Sequence, residues 1–161
     1  MGIVSAGIHH IVRKKIGDMA RGIQFVRETE VVVGIPKEKN GQHAGGMKNS
    51  ELLYLHCNGS PAGHIPPRNV LQAGIGSKDG SEQIKTLLKS GIKEAVLGNV
   101  DSAEQAYQKA GMVGAASVQK QFGVIPPPNA PSTVARKGSS ATLIDTGALR
   151  QAITYSVRKK T

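Results

Sequence analysis

Asp79-Gly80-Ser81-Glu82-Gln83-Ile84-Lys85-Thr86-Leu87-Leu88 opens the stretch whose reading decides the fold. Ile84, Leu87, Leu88, Ile92, Ala95 and Val96 recur in steps of three and four, the spacing that lines one face of a helix. Asp79-x-x-Glu82 reads as a capping-box-like start, and Gly98 supplies the stop. Asp101-x-x-Glu104 begins a second helix with Ala103, Ala106, Tyr107, Ala110, Val113, Val118 and Phe122 inward, closed by Gly123. The short turn between the two predicts an antiparallel helical hairpin over 81–98 and 101–123. Gly111, Gly114, Ala115 and Ala116 make the second helix slender, which lets a neighbouring element approach closely.

Upstream, Ile8, Ile11, Val12, Ile16, Met19, Ile23 and Val26 predict an amphipathic helix over 3–27, with a break at Gly17 or Gly22. Val31, Val32 and Val33 predict a strand at 29–35, closed by Gly34 and Pro36. The glycine-rich polar run 37–50 reads as a mobile loop. Leu52, Leu53, Tyr54 and Leu55 form an apolar run that periodicity assigns to neither helix nor strand. We place one more strand pair near 51–72. Ile65-Pro66-Pro67-Arg68 is extended, because each proline disfavours helix in the residue before it. Gly74-Ile75-Gly76-Ser77-Lys78-Asp79-Gly80 lacks phosphate-loop spacing and reads as a flexible turn.

Downstream, 126–131 is a stiff polyproline-like spacer leading into a polar, basic stretch, so 124–141 forms a proline-rich basic arm. A short helix surrounds 145–150, and alternation of Ile153, Tyr155 and Val157 with polar residues predicts a strand at 152–157. The expected class is α+β in a single domain over 1–161. A small, mainly antiparallel sheet packs against the N-terminal helix and the helical hairpin, with extended loop and arm segments.

Composition narrows function. The 161 residues are 39% hydrophobic and only 3% aromatic, so stacking platforms for single-stranded nucleic acid are scarce. The formal charge of +10 suits an acidic partner, but no block of five or six like charges marks a nucleic-acid arm. The one cysteine, Cys57, fits a reducing compartment. No apolar run spans a bilayer and the N-terminus lacks a charged n-region, so no membrane partner is expected. His9 and His10 diverge by about 100° on a helix. His56, Cys57 and His64 match no zinc spacing, and a Cys57 nucleophile lacks identifiable support. We expect no metal, no cofactor and no catalytic residues.

The most specific string is Leu143-Ile144-Asp145-Thr146-Gly147-Ala148-Leu149-Arg150, preceded by Thr133-Val134-Ala135-Arg136-Lys137-Gly138 and followed by Ala152-Ile153-Thr154-Tyr155-Ser156-Val157. Upstream stands Leu55-His56-Cys57-Asn58-Gly59-Ser60, then Ile65-Pro66-Pro67-Arg68-Asn69-Val70-Leu71. Together these segments, about half the chain, resemble the phage virion-morphogenesis and tail-completion proteins related to the minor tail protein Z group. Cys57, Asn58, Val70 and Ala152 depart from the family pattern.

The resemblance implies a structural virion protein of a tailed bacteriophage rather than an enzyme. It would be made in the bacterial host cytoplasm and act in the virion at the neck or upper tail. It would form a homo-oligomeric ring, a hexamer, that completes the tail and joins it to the head. Its partners would be copies of itself, the head-connector or stopper, the tail terminator and the tail-tube proteins, with passive contact with phage DNA in the channel. On the residues themselves, Asp145-Thr146-Gly147 can cap a helix start. Arg68 on its rigid extended segment presents a planar donor fork to a neighbour. Candidate assembly residues are Pro66, Pro67, Arg68, Arg136, Lys137, Asp145, Thr146, Gly147 and Arg150. The alternative is a small basic nucleic-acid-binding protein.

Overall fold

The computed structural model describes residues 2–42 and 46–160, with side chains from His10 onward. The α+β architecture expected from the sequence is present, centred on one long helix. In order, the elements are α1 (Gly2–Glu28), β1 (Thr29–Gly34), α2 (Asn49–Asn58) and α3 (Val70–Ile75). They continue with α4 (Lys78–Val96), α5 (Val100–Gln121), α6 (Pro131–Lys137), α7 (Ala148–Ala152) and β2 (Thr154–Lys159).

Helix α5 is the hub, with α4, α3 and the sheet all packed on it. Ala103, Tyr107, Ala110, Ala115 and Val118 are buried along its length, with Phe122 buried just past its end. The hairpin partner α4 ends as expected, with Gly98 at φ +90 just beyond it. Strands β1 and β2 pair antiparallel, with Val31 opposite Val157 and Val33 opposite Tyr155. The slender middle of α5 has the predicted use. A Cβ on Gly111 would run into the ring of Tyr155, and one on Gly114 would lie 2.9 Å from Val33 Cγ2. Directly opposed Glu30 and Arg158 form an ion pair at 2.9 Å.

Several expectations need correction. No strands occupy 51–72; that stretch holds α2 and α3, joined by a turn with one isolated bridge, Ser60 to Ile65. Local caps decide the matter. The Glu51 carboxylate accepts the Lys48 N–H at 2.9 Å, and Asn69 Oδ1 accepts from Gln72 N–H at 2.9 Å. The supposed flexible turn 74–80 is rigid packing: Gly74 and Gly80 are buried in α3 and α4 against Val118 and Ser117 of α5. Ser77, not Asp79, caps α4, its Oγ accepting from Gly80 N–H at 3.3 Å, while Glu82 pairs with Lys85. Helix α5 has Asn99 at its N-cap without a side-chain hydrogen bond, although Asp101 favours the positive end of its dipole.

Helix α1 is unbroken through Gly17 and Gly22, because Gly22 lies where a Cβ would collide with the Ala95 carbonyl of α4. The basic arm is not wholly extended, since residues 131–137 form α6 with Pro131 at its first turn and Gly138 in the left-handed conformation at its end. The final strand begins later than expected, at Thr154, with Ala152 and Ile153 buried ahead of it. Of the loop expected at 37–50, Lys37–Lys39 is a 3-10 turn and Gln42 bridges to Lys48, while 43–45 lie outside the described residues. The side chains of Ile8 and His9 lie outside them too.

Candidate interaction cleft

The two segments singled out from sequence, around Arg68 and around Asp145, are far apart along the chain, yet they face one another across an open cleft of about 1590 Å³. One wall is the end of α2, the turn 59–65 and the extended Pro66-Pro67-Arg68. The other is Pro127-Pro128, α6 and the run from Leu143 to Leu149. Leu149 and Ile153 hold this second wall on the core at 4% and 1% exposure, beside Leu53, Val70 and Phe122.

Arg68 joins the walls. Its backbone N–H donates to the His56 carbonyl at 2.6 Å. Its Nε donates to the Pro127 carbonyl at 2.7 Å and its Nη2 to the Pro128 carbonyl at 3.0 Å. The rigid segment does present a planar fork, but to the chain's own proline run. Arg68 is therefore buried at 7% exposure rather than offered to a neighbour. No carboxylate pairs with it among the described residues. Burial lowers its pKa; a guanidinium nevertheless stays charged at neutral pH.

The arm is tied down at its other end as well. Asn129 Nδ2 donates to the carbonyls of Ser140 and Ala141 at 3.2 and 3.1 Å, and Lys137 Nζ donates to that of Ala141 at 2.9 Å. Gly123 N–H donates to the Thr142 carbonyl at 2.8 Å. Two residues of the motif adopt left-handed backbone: Leu143 at φ +59 and Gly147 at φ +82. For leucine this conformation costs on the order of 1–3 kcal/mol and survives only where surrounding contacts impose it. The motif is thus a tightly specified turn. Capping is only half as expected: Thr146 Oγ1 accepts the Ala148 N–H at 3.3 Å, but the residue at the N-cap is Gly147 and Asp145 caps nothing. Asp145 and Thr146 stand exposed on the rim.

Of the residues singled out from sequence, Pro66, Pro67, Arg68, Arg136, Lys137, Asp145, Thr146 and Gly147 all line this cleft. Arg150 does not; it is exposed on α7, outside the cleft. Sequence reading missed His56 as a cleft residue. Its Nδ1 is buried without a partner among the described residues, and its pKa is lowered first by burial and then by the charges of Arg68 and Lys137. The missed acceptors, the Pro127 and Pro128 carbonyls, had a signal. Proline repeats present carbonyls that no local ladder takes up, and a buried arginine needs acceptors.

Cys57 lies on the opposite side of α2, in a second, apolar groove of about 720 Å³ lined by Leu53, Tyr54, Leu71 and Ile75. Burial pushes its thiol pKa up. Among the described residues no group of three His, Cys, Asp or Glu could hold a metal ion, and no helix is long and apolar enough to cross a membrane. In comparisons with known proteins, no family model, curated protein or solved structure matches the chain.

Proposed function

We propose that this chain is a structural subunit of a tailed-phage virion, a tail-completion or head–tail connector protein that works by assembling into a collar of identical copies. One observation carries the reading. The string Leu143-Ile144-Asp145-Thr146-Gly147 and the Ile65-Pro66-Pro67-Arg68 segment, on which the resemblance rests, build the two walls of one cleft. The cleft's construction also suits assembly: rigid proline backbone, a strained turn and exposed rim side chains from Pro67, Arg136, Asp145 and Thr146. Its floor is fastened by Arg68, leaving the rim to meet neighbours.

The test is genetic. Removing the gene from the phage genome that encodes it should leave full heads and finished tails that do not join, and supplying the chain in trans should restore whole particles. Complete, infectious particles without the chain would overturn the proposal. Tight, steeply salt-dependent binding of duplex DNA by the purified chain would instead favour the nucleic-acid-binding reading.

A further inference from the structure

Helices α1 and α4 share a face that nothing in the chain covers. They run antiparallel. A Cβ on Gly98 would run into Asp18 and one on Gly22 into the Ala95 carbonyl, while Phe25 and Gly91 both lie against Tyr107 of α5. Gly22 and Ala95 therefore mark the line of contact between the helices, and Phe25 and Gly91 mark the side turned to α5. A helix turns about 100° per residue, so Val12, Ile16, Met19 and Ile23 fall on the flank of α1 away from Phe25. The same rotation puts Ile92 and Val96 on the flank of α4 away from Gly91. In an antiparallel pair these flanks lie on the same side, so the six side chains border one furrow on the face opposite α5. They are 41–61% exposed. Together they present on the order of 500 Å² of apolar surface, as large as the biggest patch of an ordinary monomer and often functional at that size.

The furrow changes character along its length. Beyond Ile23 and Ile92, Arg27 continues the row on α1, and Lys89 and Lys85 continue the row on α4. Lys93 stands on the α4 rim. Arg27 and Lys85 have carboxylates of their own, in Glu28 and Glu82. Lys89 and Lys93 have none among the described residues. Of the carboxylates on the described parts of α1 and α4, the rotation brings only Glu82 to this face.

We propose that this furrow seats an amphipathic helix of a partner protein, one whose apolar stripe is flanked by aspartate and glutamate. Charge selects that occupant. A second copy docked by the same face would bring Lys89 and Lys93 of both chains into one contact with no free carboxylate to receive them. Shape agrees: two aliphatic rows on either side of a furrow suit the cylinder of a third helix, which packs about 8–10 Å from each neighbour. From Val12 to Ile23 the furrow runs roughly 17 Å, the length of about three turns. Its basic end gives the seat a direction, with the partner's carboxylates concentrated toward Arg27 and Lys89. The inference goes beyond the function proposed above and stands apart from it, since no residue of α1 or α4 lines the cleft.

The test is selection against the full chain from a displayed library of peptide helices of roughly four turns. Leucines are fixed at i, i+3, i+4 and i+7, and every other position is randomised. Selected peptides should be rich in aspartate and glutamate, mostly toward one end. Ile23→Asp and Val96→Asp, both at exposed positions, should each weaken a selected peptide by about tenfold or more, the loss expected for one buried aliphatic contact. Lys89→Glu with Lys93→Glu should weaken acidic peptides and shift a repeat selection toward lysine and arginine. An empty selection, selected peptides with no acidic excess, or binding that survives both aspartate variants would each overturn the proposal. Two rival occupants would show themselves in the same variants. A concentration-dependent dimer that Ile23→Asp abolishes would give the face to a second copy. Co-sedimentation with phosphatidylglycerol vesicles that Ile23→Asp abolishes would give it to a lipid surface, and either result overturns the helix seat.

Discussion

Removing the guanidinium of Arg68 takes away its two hydrogen bonds to the Pro127 and Pro128 carbonyls, and bonds from a charged donor are worth about 1.5–3 kcal/mol each. Arg68→Ala should therefore lower unfolding free energy by about 2–4 kcal/mol, read as a shifted urea midpoint with an unchanged slope. Arg68→Lys keeps the charge but reaches one carbonyl at a time, so it should recover only part of that loss. His56 gives a pH signature. Its pKa in the folded chain lies below the ordinary 6.5, chiefly through burial. The unfolded chain thus binds the proton more readily, and stability should fall as pH drops below about 6.5 until the folded-state pKa is passed. His56→Gln should flatten that part of the stability–pH profile; an unchanged slope would mean His56 is not its source. Arg68 was legible as an exceptional residue from its place after two prolines, but not the direction of its fork. Its acceptors lie some sixty residues away, and nothing local in sequence says which carbonyls an arginine will find.

At the scale of single elements, the parts with strong periodicity were readable and the parts without it were not. The hairpin α4–α5 and the strands β1 and β2 follow from helical spacing and β-branched, alternating runs, and the small residues of α5 signalled a close neighbour, which proves to be Tyr155 and Val33. Gly111→Ala should consequently cost about 1–3 kcal/mol through overpacking against Tyr155. Tyr155→Leu should relieve part of that cost in the double variant, measured as a non-zero coupling in a thermal-unfolding cycle. Helices α2 and α3 escaped because Leu52-Leu53-Tyr54-Leu55 is apolar on every face, so period cannot choose and the caps from Glu51 and Asn69 decide. The cap of α4 was misplaced by two residues for a similar reason. Ser77, Asp79 and Glu82 all carry suitable oxygens, and only Ser77 reaches the open N–H of Gly80. Ser77→Ala should cost about 1 kcal/mol in thermal unfolding, and Asp79→Ala much less.

For the whole molecule, the surface has more to say than the core. The periodicity of α1 gathers its apolar residues into one stripe without recording what covers it. The stripe faces out, as does the groove between α2 and α3, and both fit a chain whose finished form includes its neighbours. The same logic explains why the cleft was only partly legible. Its motif residues could be named from resemblance, but their meeting across one space depends on the long-range packing of Leu149 and Ile153 against α2 and α5. On the function proposed above, what matters at this scale is where copies sit. The most direct test is a cryo-EM reconstruction of the neck of the virion whose genome encodes the chain. The proposed function predicts a closed collar of identical copies of this fold, six of them, between the head connector and the tail tube. A fully traced neck and upper tail without this chain would contradict it.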